Sequence, residues 1–225
     1  MNIIGSWILF FTLNPLIRIF YIKDVKGENN IPKGNFIFVS NHQSFLDLVV
    51  NGCFCVPRRF RFIGQTDQYV GVERFWRDVV YFLAGTIGMD RKDSTSKKTA
   101  MQKAAEYLKK GEIICIYPEG TRSRTGETGR GKKGAASLYL ETGVPILPAA
   151  LAGAFELLPP GTNIKGMKIR KEIRVNIGTP LYFTQEYKRA QEIPKDSEEY
   201  LAMLDKITDK MMSEIVRLKE ELIKS

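Results

Sequence analysis

After residue 22 the chain alternates short apolar runs with segments of helical length, and few architectures can bury such an alternation. Phe36-Ile37-Phe38-Val39 reads as a strand ending at Asn41-His42, residues 44–54 as a helix, and Arg59 to Ile63 as a strand. Residues 71–84 have a helical pattern, and a short strand follows near Thr86 to Met89. Ser94 to Leu108 reads as a helix that Gly111 stops. Glu112 to Tyr117 is a compact apolar strand, Gly134 to Glu141 a helix, and Val144 to Leu151 and Lys171 to Ile177 are further strands. Strands separated by helices bury their apolar faces as an α/β fold, here a single mixed sheet flanked by helices.

Both ends of the chain depart from this rhythm. Residues 1–22, MNIIGSWILFFTLNPLIRIFYI, are strongly apolar, but no basic start precedes the run and no small-residue cleavage site follows it. As a membrane span the run fails, because Asn14, Pro15 and Arg18 interrupt it where a span wants ~20 apolar residues. Two short helices lying on a bilayer fit the pattern, with Trp7, Phe10, Phe11, Phe20 and Tyr21 at the interface. A helix packed on the protein's own core fits it too. At the other end, Tyr200, Leu204, Ile207, Met211, Ile215, Leu218 and Leu222 recur every three or four residues. They form the apolar stripe of one amphipathic helix within residues 193–225.

Charge is unevenly placed. The chain carries a formal +9, yet residues 195–225 hold six basic groups against eight acidic ones. The first 194 residues therefore hold 28 basic and 17 acidic groups, a net of +11, and such a body wants an anionic partner. Phosphate, nucleic acid and an acidic lipid surface all satisfy that charge. The three cysteines, Cys53, Cys55 and Cys115, lack framework spacing and suit a reducing compartment. Cys53-x-Cys55 has no second pair to complete a metal site, so no metal is expected.

The single histidine, His42, lies in Asn41-His42-Gln43-Ser44-Phe45-Leu46-Asp47, where a strand ends and a helix begins. Within one helix, positions five apart lie ~140° apart around the axis and meet poorly. At a strand-to-helix turn, His42 stands outside the helix while Asp47 sits in its first turn. The carboxylate can then accept the Nδ1 proton and leave Nε2 as a base. That is two thirds of a catalytic triad, with the substrate hydroxyl as nucleophile. A helix N-cap built from Ser44 and Asp47 explains the same spacing. Downstream, Tyr117-Pro118-Glu119-Gly120-Thr121-Arg122-Ser123 follows a strand and offers N–H groups and a guanidinium to an anion. Arg122, Arg124, Arg130, Lys132 and Lys133 oppose only Glu127, and Gly126, Gly129, Gly131 and Gly134 suggest a mobile flap over a phosphate. Arg91 closes Gly85-Thr86-Ile87-Gly88-Met89-Asp90-Arg91 at a strand end, where parallel sheets expose binding groups.

These residues resemble the four ordered blocks of the glycerolipid acyltransferases. N-H-x-S-x-x-D is matched by Asn41, His42, Ser44 and Asp47, and the second block by Ile87 and Arg91. F-P-E-G-T-R-S is matched by Pro118 to Ser123 with Tyr117 for Phe, and V-P-I-x-P by Val144 to Pro148. Gly88 and Met89 replace bulkier residues, and Gln65, Thr66, Asp67 and Gln68 stand where the family often has Lys-Glu-Leu. The resemblance, most of all to the 1-acylglycerol-3-phosphate acyltransferases, implies an acyltransferase domain over residues 23–192. It implies that His42 is the base and Asp47 its orienter. Arg91 and Arg122 would hold a phosphate, Glu119 and Thr121 would place the glycerol, and the Gly120 N–H would lend a polar contact. The implied co-substrate is an acyl thioester of coenzyme A or acyl carrier protein, with no cofactor. The implied acceptor is the sn-2 hydroxyl of a lysophospholipid at the cytoplasmic side of a membrane, held there monotopically or peripherally. Acyl transfer to glycerol-3-phosphate or another lyso-lipid stays open. So does a basic nucleic-acid-binding or lipid-binding protein without catalysis, although no nucleic-acid motif is present.

Overall fold

The computed structural model describes residues 3–65, 81, 85–162 and 169–224. The helix expected over residues 71–84 lies almost wholly outside them. Helices α1 (Ile3–Phe11) and α2 (Leu13–Phe20) lead into strand β1 (Ile22–Lys26) and, after a 3-10 turn at Glu28–Asn30, into β2 (Ile37–Ser40). There follow α3 (Leu46–Cys55), β3 (Phe60–Gln65), β4 (Ile87–Met89), α4 (Ser94–Lys109), β5 (Ile113–Ile116), α5 (Gly134–Thr142) and β6 (Ile146–Ala152). A short α6 (Ala154–Leu157), β7 (Ile173–Ile177), α7 (Thr184–Ala190) and α8 (Glu198–Ile223) complete the order.

Seven strands form one sheet in the order β1-β7-β6-β2-β5-β3-β4. From β6 to β4 every neighbour is parallel, whereas β7 runs antiparallel to β6 and carries β1 parallel to itself. The sheet is mixed, as the sequence predicts. The central strand β2 is covered on both faces, which is why it reads as an unbroken apolar run. Phe36 and Phe38 point to one layer with Leu46, Val50 and Phe54 of α3, and with Ile17 of α2. Ile37 and Val39 point to the other, against Ala104 and Leu108 of α4, Ala135 and Leu138 of α5 and the α8 stripe. The seven stripe residues of α8 are all buried, packed across β6, β7 and α5.

Three elements were not legible. β1 is an edge strand whose Ile22-Lys23-Asp24-Val25-Lys26 carries charge on its open side, while α6 and α7 are too short to show a period. Pro15 does not end a helix. It sits in the first turn of α2, where its missing N–H costs nothing, and the break falls at Thr12 instead.

The N-terminal pair is amphipathic in the reverse sense. Ser6 is fully buried with its Oγ donating to the Arg58 carbonyl at 2.7 Å, and Asn14 is buried, receiving Arg18 Nε at 3.0 Å. Trp7, Ile8, Phe11, Leu13, Leu16, Ile19 and Phe20 are 41–69% exposed. Among the described residues no helix is long and apolar enough to cross a membrane.

Ile215 is fully buried in the α8 stripe. Ile215→Ala should lower the unfolding free energy by about 2–5 kcal/mol, whereas exposed Val216→Ala should change it by less than about 0.5 kcal/mol. Urea denaturation of the two variants measures the contrast.

Candidate active site

Parallel strands deliver their following loops to one edge of a sheet, and here β2 and β5 are neighbours while β4 stands one strand further out, beyond β3. The turn after β2 is fixed first. Asn41 is fully buried, and its side-chain amide donates to the Leu151 carbonyl at 2.9 Å and accepts the Leu151 N–H at 2.8 Å. It extends the β2–β6 pairing by one residue through a side chain. Ser44 Oγ donates to the Leu158 carbonyl at 2.8 Å, tying the other end of the turn to α6.

Between these ties the turn closes on Asp47, which has no solvent exposure. One oxygen, Oδ2, accepts the Gln43 N–H at 2.6 Å and the Ser44 N–H at 2.7 Å, and meets His42 Nδ1 at 2.9 Å. The turn-closing function and the orienting function therefore belong to the same atom. The imidazole also lies flat on Tyr117, with ring centroids 3.9 Å apart and 11° between the planes. Tyr117 in turn receives Asn51 Nδ2 at its hydroxyl, 3.2 Å away. Burial, and next the Asp47 charge, push the Tyr117 phenol well above its usual range, so it stays neutral. With Nδ1 and one ring face occupied, Nε2 has no hydrogen-bond partner among the described residues, and the His42 side chain keeps 14% of its surface exposed.

The segment after β5 joins this turn at several points. Glu119 Oε1 accepts the His42 N–H at 2.8 Å, and Oε2 accepts the Gly129 N–H at 2.8 Å. The Ser123 N–H donates to the His42 carbonyl at 2.7 Å, Gln43 Nε2 donates to the Gly126 carbonyl, and the Lys132 N–H closes the base on the Pro118 carbonyl at 2.8 Å. Arg91, just beyond β4, donates through Nη1 to the Gly120 carbonyl. His42, Asp47, Arg91, Glu119 and Gly120 are thus linked directly, with Thr121 exposed and Arg122 half-buried on the same loop.

Two expected site groups already have partners within the chain. Each oxygen of the buried Glu119 carboxylate accepts one backbone N–H, as a buried carboxylate needs donors. The Gly120 N–H is spent on the Tyr117 carbonyl at 3.0 Å, in a turn with φ +70°. The loop is also more firmly held than its glycines suggest. Gly131 lies so close to α8 that a Cβ there would meet Met212 Cγ at 2.5 Å, so this glycine serves close packing.

Burial raises the Glu119 carboxyl above its ordinary range. The Gly129 and His42 amides and the charges of His42 and Lys219 only partly offset the rise. The sign follows from proton counting. The folded chain takes up this proton at higher pH than the unfolded chain does. Stability from Glu119 is therefore present below the ordinary carboxyl range and is lost as pH rises through the raised value. Sequence reasoning missed Tyr117 as a stacking partner, Gln43 as a loop tie and Lys219 of α8. None of these follows from spacing, because each depends on a chain segment from elsewhere.

Asn41→Ala would leave the buried N–H and C=O of Leu151 unpaired. The variant should lose about 2 kcal/mol or more of stability in denaturant titration, since each unsatisfied group costs about 1–3 kcal/mol.

Known proteins resemble this chain. The family model described as Acyltransferase matches residues 23–152. The chain is 33% identical over 165 residues to a chloroplastic 1-acyl-sn-glycerol-3-phosphate acyltransferase of Brassica napus, covering 72% of this chain and 46% of that protein. It is 34% identical over 129 residues to the 1-acyl-sn-glycerol-3-phosphate acyltransferase of Borreliella burgdorferi, covering 56% and 50%. The crystal structure of the 1-acyl-sn-glycerophosphate acyltransferase of Thermotoga maritima superposes with a TM-score of 0.58 at 25% identity, over 90% of this chain and 79% of that one. The chain spans about half the length of the curated relatives it matches.

Proposed function

The chain belongs to the acyltransferase family, and from that premise we propose that it moves a fatty acyl group from an acyl thioester to the sn-2 hydroxyl of 1-acylglycerol-3-phosphate, giving phosphatidic acid. The observation that carries this reading is His42, with Nδ1 held 2.9 Å from a fully buried carboxylate and Nε2 left for a substrate. Nε2 removes the hydroxyl proton as the oxygen attacks the thioester carbonyl. The tetrahedral intermediate then collapses, the C–S bond breaks, and the imidazolium returns the proton to the departing thiolate. Asp47 keeps the proton on Nδ1 in the resting state and stabilises the imidazolium between the two steps.

No side-chain nucleophile touches Nε2 among the described residues. Cys53 and Cys115 are poor substitutes, because burial pushes the Cys53 thiol up to about 12 and the Cys115 thiol well above its usual range. Direct transfer is the chemistry that remains. Arg91 gives one of its five donors to Gly120, leaving others for a phosphate beside Arg122. Thr121 lies on the exposed side of the same loop, where the glycerol would pass. Coenzyme A and acyl carrier protein both supply the required thioester.

The reversed amphipathicity of α1 and α2 favours a monotopic seat on the cytoplasmic side of a membrane. Seven large apolar side chains lie exposed there while polar Ser6 and Asn14 turn inward. The net +11 of the first 194 residues adds attraction to anionic headgroups.

In an acyl-transfer assay over several phosphorylated acceptors and both donor types, His42→Ala should cut turnover by ~10² or more with the fold retained. Arg122→Ala should raise KM for the acceptor and leave that for the donor. Near-normal turnover by His42→Ala would remove the base from this mechanism.

Attachment is tested separately. Replacing Trp7, Phe11, Leu16 and Phe20 by Ser should free much of the protein from anionic vesicles. High salt on the unaltered chain should loosen binding only in part, since screening acts on charge and not on apolar burial. Undiminished sedimentation of the four-fold variant would contradict the membrane seat.

A further inference from the structure

The chemistry above makes no use of Lys219, a buried lysine on α8 outside the matched residues 23–152. Its ammonium donates to the Gly126 carbonyl at 2.7 Å and lies 3.9 Å from the exposed carboxylate of Glu127. A charge buried this way is costly, and a methionine of similar length would fill the same space beside Leu218 and Leu222 without that cost. Packing therefore does not account for a lysine here.

What it holds does account for it. The Gly126 carbonyl is the acceptor that Gln43 Nε2 also uses, so two donors from opposite sides meet on one loop carbonyl. Gln43 adjoins His42, and its own N–H is bound to Asp47. Three residues further along the loop, the Gly129 N–H is bound to Glu119, whose other oxygen holds the His42 N–H. Lys219 also lies close enough to Glu119 for its positive charge to favour the carboxylate, the form that can accept both amides. The ammonium thus holds the loop at the carbonyl that Gln43 ties to the histidine turn.

We propose that Lys219 is a positioning residue for acyl transfer, clamping the Gly126 carbonyl so that the Arg122-bearing loop stays seated on the His42 turn. This rests on the reaction proposed above and extends it to the C-terminal helix. α8 then has two jobs, covering the sheet with its apolar stripe and fixing the anion loop with one charged side chain on its border. The acceptor's phosphate would feel the clamp more than the thioester would, because the loop carries Arg122 and the Gly120 carbonyl that Arg91 binds.

The test uses the full chain with 1-acylglycerol-3-phosphate and acyl-coenzyme A. Lys219→Met should raise KM for the acceptor about tenfold, the scale of one charge-assisted hydrogen bond, and leave KM for the donor unchanged. Lys219→Arg, which keeps charge and donors, should recover most of the loss. Amide exchange should quicken across residues 120–131 in Lys219→Met and stay unchanged across 198–223. Normal kinetics in Lys219→Met, equal damage in both variants, or parallel loss of donor and acceptor use with faster exchange in α8 would each overturn the proposal. If the unaltered chain transfers no acyl group at all, the proposed reaction fails on its own account. Exchange in the 120–131 loop then decides the clamp: faster in Lys219→Met supports it, and unchanged refutes it.

Discussion

Much of the site hangs on one oxygen atom. Asp47 Oδ2 collects two backbone N–H groups and the imidazole Nδ1 within 2.6–2.9 Å, and the residue has no contact with solvent. A buried carboxylate would be costly without those donors, and the turn would not close without that acceptor. The same atom shapes the 42–44 turn that leads into α3 and aims the histidine. Local folding and chemical orientation are therefore inseparable here. A side chain that served only one of them would leave the other undone.

From that turn outward, order is passed by hydrogen bonds to backbone groups. Asn41 reaches β6, Ser44 reaches α6, and Glu119 reaches both His42 and Gly129. Backbone partners fix position more tightly than flexible side-chain pairs do, because the sheet already holds them. The arginines arrive on this frame after two different strands, β4 and β5: Arg91 binds the Gly120 carbonyl, and Arg122 lies two residues further along that loop. A basic loop tied at its base, middle and tip can present charge without first having to be ordered.

The N-terminal helices follow an opposite logic to the rest of the molecule. Elsewhere apolar side chains line two cores on the faces of the sheet. In α1 and α2 the buried contacts include Ser6 and Asn14, and the apolar surface faces away. Water is a poor partner for such a face. The face stands beside a body with a strongly basic balance, and the proposed membrane seat draws on both features.

The sequence by itself determined the layered architecture, because unbroken apolar strands such as Phe36 to Val39 and the seven-residue stripe of α8 can be buried in few other ways. It also brought His42 and Asp47 into contact. Their spacing across a strand-to-helix turn leaves one good contact, and a lone histidine has no competitor. Tertiary structure decided which groups the carboxylate of Glu119 and the N–H of Gly120 meet within the chain, since those partners are distant in sequence or hidden in turn geometry. It likewise decided that the glycine-rich loop is tied down. Loop composition reports the freedom of a backbone before it finds partners, and Gln43, Lys219 and Met212 reach it from other elements. Local periodicity encodes which face is buried. Which buried donor meets which acceptor depends on how separate segments are brought together, and only the folded chain settles that.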